Sequence, residues 1–77
     1  MPLFLGVHTL QENMGGGWEG YKKSCADLGC RAIHAYSSSE KGVGYCVTEA
    51  PSADTVLTAH KNASVPVDDV FEVVRSE

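Results

Sequence analysis

The stretch from Cys30 to Pro51, CRAIHAYSSSEKGVGYCVTEAP, constrains the fold most, because it reads as two strands joined by a tight polar turn. Ile33, Ala35 and Tyr36 lie in the first arm, Tyr45, Cys46 and Val47 in the second, and SSEKG between them has turn composition. Side chains alternate between the two faces of a strand. Pairing Ser38 with Val43 therefore puts His34, Tyr36, Tyr45 and Val47 on one face, and Ile33, Ala35 and Cys46 on the other. A slip of one residue would exchange the members of one arm and set Cys46 beside His34.

The flanking segments supply the partners of this hairpin. Pro2 to Thr9 alternates as a further strand, with Leu3, Leu5 and Val7 expected to face the helices and Phe4, Gly6 and His8 the open side. Gln11 to Gly17 reads as a flexible loop, and its GGG run lacks the Lys-Ser/Thr that a phosphate-binding loop needs. Trp18, Tyr21, Cys25 and Leu28 are spaced three, four and three apart, which makes one stripe of a helix that stops at Gly29. A second helix opens at Ser52, a capping residue, with Asp54 in its first turn, and runs to about Ala63 with Ala53, Val56 and Leu57 as its apolar stripe and His60 one turn further along. A last strand spans roughly Val67 to Val74. The order strand, helix, strand, strand, helix, strand predicts an α+β, ferredoxin-like βαββαβ fold, one domain over residues 1–77, with both helices on one face of a four-stranded antiparallel sheet.

The other face is then open. A chain of 77 residues hides only about 60% of its unfolded surface, so its core is marginal. An open face carrying Phe4, Tyr36 and Tyr45 predicts a homodimer joined through the sheets, as in dimeric α+β barrels. The 43% hydrophobic and 21% charged content is that of a soluble globular protein. A formal net charge of -4 with six Lys and Arg argues against a nucleic-acid partner, since phosphate contacts need clustered cations. MPLFLGVHTL is too short to span a membrane and has no basic leader, so no membrane association and a cytoplasmic location are expected. Three cysteines without a CxxC fit reduced thiols better than a disulfide scaffold or zinc ribbon.

On this alternation His8 and His34 share the open face, and two imidazoles are the minimum for a Ni, Zn or Cu site. The competing reading is that each makes an ordinary interface hydrogen bond. In this fold the first strand lies beside the third and away from the second, so a shared site would need dimer packing. Cys25 and Cys46 fall on helix-facing stripes, where a thiol serves as a small hydrophobe. Tyr36 and Tyr45 could hold a small molecule in a cleft with His34, or stabilise the sheet as a cross-strand pair. No Ser/His/Asp order or paired carboxylate marks a hydrolase.

The segments Lys23-Ser24-Cys25, Ile33-His34-Ala35-Tyr36, Tyr45-Cys46-Val47 and Glu49-Ala50-Pro51, with Ala59-His60 and the close from Val65 to Val73, resemble a family of small bacterial proteins of undefined function. Some of its members are called nickel-binding. The resemblance runs from about Lys22 to Val74, with a longer hairpin turn and a shorter first helix here. It implies a ferredoxin-like fold, a dimer and transition-metal binding, nickel first. His60, which by itself suits the helix dipole when protonated, joins His8 and His34 as a candidate ligand only through this resemblance. The expected function is a small transition-metal-binding homodimer, against a small-molecule carrier or enzyme of the α+β barrel type and a plain interaction module.

Overall fold

The computed structural model describes residues 1–76. Among them the chain forms β1 (Leu3–Thr9), α1 (Gly17–Asp27), β2 (Arg31–Ser38), β3 (Val43–Glu49), α2 (Ala53–Asn62) and β4 (Asp69–Val73). All strand pairs are antiparallel, in the order β2-β3-β1-β4. This is the ferredoxin-like arrangement expected from the element order. The hairpin pairs Ser38 with Val43, Tyr36 with Tyr45 and His34 with Val47, with an irregularity between Ala32 and His34. Ser52 caps α2 by accepting from the Thr55 N–H. None of the described helices is long and apolar enough to cross a membrane.

The faces of β1 are the reverse of the expectation. Gly6 pairs with Cys46 and His8 with Gly44, so Phe4, Gly6 and His8 look toward the helices and are buried. Leu3, Leu5 and Val7 look to the open side, beside Tyr45, Val47 and Phe71. Both faces of this strand are apolar, so alternation alone cannot choose between them. The helix layer decides, because α2 packs close over β1, and only the set containing Gly6 leaves room for it. On α2 the expected Val56 and His60 are buried, joined by Ala59, while Leu57, expected on the same stripe, is exposed. Among the described residues the apolar core is Phe4, Tyr21, Cys25, Cys30, Cys46, Ala50, Val56 and Ala59.

The glycine run is a docking surface and not a loose lead-in. The Gly16 N–H donates to the Ala63 carbonyl at 2.8 Å. At Gly15, whose φ is +63°, an added Cβ would collide with the Ser64 carbonyl oxygen. The start of α1 is thereby tied to the end of α2. Replacing Gly15 with Ala combines left-handed strain with a backbone clash, and we expect a loss on the order of 2 kcal/mol. Calorimetry should show the melting point of Gly15→Ala lower by roughly 10 °C; an unchanged melting point would mean that this contact does not hold the helices.

Candidate metal centre

Three elements converge beneath the helices. β1 delivers His8, β3 delivers Cys46, and the last turn of α2 delivers His60. His8 Nε2 lies 3.4 Å and His60 Nε2 3.5 Å from the same Cys46 Sγ. One ligand atom from each residue lies within 4.8 Å of the others, and all three side chains are buried. The far nitrogen of each ring is spoken for. His8 Nδ1 is 2.7 Å from the Pro66 carbonyl and His60 Nδ1 is 2.8 Å from the Val56 carbonyl. A carbonyl can only accept, so both Nδ1 atoms carry hydrogen. In the neutral rings both Nε2 atoms are then bare lone pairs. A thiol has one hydrogen, so it can satisfy one of them and not both.

Gly6 makes the convergence possible. An added Cβ there would lie 2.6 Å from Cys46 Sγ and 3.5 Å from His60 Nε2. Tyr21 closes the cluster from α1, its ring 4.2 Å from the His60 ring and its hydroxyl 2.5 Å from Thr48 Oγ1. Burial lowers the His60 pKa to about 4 and raises those of Cys46 and Tyr21. Near neutral pH His60 is therefore an uncharged imidazole and Cys46 an uncharged thiol.

The donor set fits a transition metal. Imidazole nitrogen and thiolate sulfur suit zinc, copper and nickel, and Nδ1–H bonds to backbone carbonyls are the usual way that ligand imidazoles are oriented. Metal–N bonds of about 2.0–2.1 Å and a metal–S bond of about 2.3 Å, at tetrahedral angles, separate N from S by roughly 3.6 Å. The observed 3.4 and 3.5 Å are close to that separation before any ion is considered.

Of the residues singled out in the sequence, His8 and His60 come together, and His34 does not join them. His34 lies across the sheet on the open face, exposed, its ring centroid 6.0 Å from that of Tyr36. The shared face expected for His8 and His34 fails because β1 is turned over. Tyr36 and Tyr45 are cross-strand partners on the open face, 61% and 38% exposed. His60 is 1% exposed, so it is not the protonated helix end that its position alone suited. Cys46, read from the sequence as core filler and as a thiolate ligand only if the hairpin slipped, joins the two histidines with no slip. The one available signal was a glycine in the middle of β1, which marks a close approach.

The family described as nickel responsive protein SCO4226-like matches residues 7–73, a span that holds all three donors. The chain belongs to this family. The crystal structure of SCO4226 from Streptomyces coelicolor A3(2) shares its fold with a TM-score of 0.74 and 25% sequence identity, covering 97% of this chain and 99% of that one. No curated protein matches the chain. The small bacterial family that the sequence resembled is thus the SCO4226-like family.

The depressed pKa of His60 makes the stability of the metal-free protein depend on pH. Above pH 6.5 the ring is neutral in both folded and unfolded chains. Between pH 6.5 and about 4 the unfolded chain takes up a proton that the folded chain refuses, so stability falls as pH falls. We expect urea unfolding of metal-free protein to show a loss of about 2 kcal/mol from pH 7 to pH 5. A His60→Gln variant should lack this slope; equal stability of the parent at the two pH values would contradict the burial of a neutral His60.

Proposed function

We propose that the protein binds a divalent transition metal, nickel first, on His8 Nε2, Cys46 Sγ and His60 Nε2. The observation that carries this reading is the pair of Nε2 lone pairs aimed at one thiol. Binding exchanges the Cys46 S–H proton for a cation, the proton leaving to solvent, and gives every lone pair a partner. The ion supplies the positive charge that stabilises the thiolate. Pro66 and Val56 hold the two rings through their Nδ1–H groups, and Tyr21 covers His60. Nickel is preferred among the metals that this donor set accepts because the family is described as nickel responsive. The buried, unpaired thiols Cys25, Cys30 and Cys46 fit a reducing cytoplasm.

A nickel titration against a chromophoric metal indicator tests the site. Cys46→Ser and His8→Ala should each weaken binding by about a hundredfold or more, and His34→Ala should change it less than about twofold. Binding no tighter than millimolar in the parent, or loss of binding in His34→Ala alone, would end this assignment.

The acting form in this proposal is a homodimer joined through the open sheet face. Leu5, Val7, Tyr45, Val47 and Phe71 lie together there, with Tyr36 and Val73 beside them, and Phe71 is 43% exposed. Phe4, expected on this face, is in the core instead. Burying each large apolar side chain contributes on the order of 1.5 to 3 kcal/mol, and a two-fold axis lets the patch match itself. Light scattering at micromolar concentration should give a dimer for the parent and a monomer for Tyr45→Glu. A monomeric parent would refute the assembly.

A further inference from the structure

The three donors form the polar part of a larger space. His8, Cys46 and His60 line a cavity of about 330 Å³, whose helix wall includes Trp18 and Tyr21. Its sheet wall includes Ala35, Ser37 and Gly44. Ala35 pairs with Cys46 and so looks toward the helix layer, yet it is exposed, because no helix covers the ladder at that point. The small side chains along this wall keep the space open. Tyr36 and Tyr45 border it through their backbones, since alternation sends their rings to the other face.

This lining sets the chemistry of an occupant. Among the described residues no Asp, Glu, Lys or Arg lines the cavity, so a charged molecule would lose its hydration without gaining a partner. The indole of Trp18 and the ring of Tyr21, whose centroids are 6.0 Å apart, offer aromatic surface. Apart from the Met14 thioether, the nitrogen and sulfur lone-pair donors of the described lining gather in the His8, Cys46 and His60 cluster, which calls for one donor atom on an otherwise apolar body. At the packing density of protein interiors, a cavity of about 330 Å³ holds on the order of a dozen non-hydrogen atoms.

We propose that the cavity binds a small, uncharged aromatic molecule carrying a single nitrogen, oxygen or sulfur donor, with its ring beside Trp18 and its donor on the His8, Cys46 and His60 cluster. The donor contact rests on the reading of that cluster as a metal centre, where three protein ligands leave a coordination position for a fourth donor. The apolar contacts do not rest on it.

The test uses 4-phenylimidazole, uncharged at pH 8, and the emission of Trp18, the one tryptophan of the chain and a wall of the cavity. In both metal-free and nickel-loaded protein the emission should change saturably, with binding at least about tenfold tighter than that of imidazole. Nickel should tighten 4-phenylimidazole by a further factor of about ten. Ala35→Leu, at an exposed position outside the cluster, should weaken 4-phenylimidazole by about tenfold or more and leave nickel affinity within about twofold. Saturable binding without any nickel uptake would overturn the metal reading and support the aromatic site. Nickel uptake with no response to 4-phenylimidazole up to millimolar would overturn the aromatic site alone, as would equal binding by parent and Ala35→Leu.

Discussion

Two imidazole lone pairs compete for one thiol hydrogen, and the rest of the structure is arranged around that shortage. Leaving a buried polar atom without a partner costs about 1 to 3 kcal/mol, a sizeable share of the stability of a small domain. Two lone pairs at 3.4 and 3.5 Å from one sulfur therefore call for an explanation outside packing. In the proposed metal site a cation provides it, because it would replace the contested proton and accept from all three donors together. On that proposal, Cys46 filling the core and Cys46 ligating a metal would be two states of the same buried sulfur.

The segment after α2 holds much of this geometry. The Val65 N–H bonds the His60 carbonyl at 2.9 Å, and the Ser64 N–H bonds the Lys61 carbonyl at 3.0 Å, closing α2 one turn beyond His60. Ser64 takes the left-handed conformation that such an ending needs, with φ of 57°. From the same segment Ala63 accepts from Gly16, Pro66 accepts from His8, and Asp68 donates to Val7. Residues 63–68 thus fix α2 against α1 and β1 together, and with them the two imidazoles. The absence of a side chain at Gly6 allows this layer to sit close enough for His60 to reach the sulfur.

Much of the fold was legible because its signals are local. The hairpin register followed from one polar turn between two alternating arms, and helix boundaries followed from Ser52 and Gly29. The orientation of β1 was not legible, since Leu3, Leu5 and Val7 are as apolar as Phe4 and the choice depends on a helix distant in sequence. That single inversion moved His8 from the open face into the core and separated it from His34. His60 could be listed only by resemblance, because nothing within α2 distinguishes a ligand from a helix-terminal histidine. Cys46 was placed correctly and assigned an apolar role, since burial looks the same for a thiol awaiting metal and a thiol filling space.

The sheet therefore has two faces, an apolar open one, proposed here for a second copy, and a helix-covered one, proposed for a metal, whose middle carries donors instead of pure hydrocarbon. The second depends on the protonation of two rings, which can be observed directly. Long-range nitrogen–proton NMR correlations of the imidazoles in metal-free protein at pH 7 should show His8 and His60 with hydrogen on Nδ1 and none on Nε2, and nickel should broaden or shift both Nε2 signals while leaving His34 unchanged. An Nε2–H tautomer at either His8 or His60, or signals from both that ignore nickel, would contradict the account.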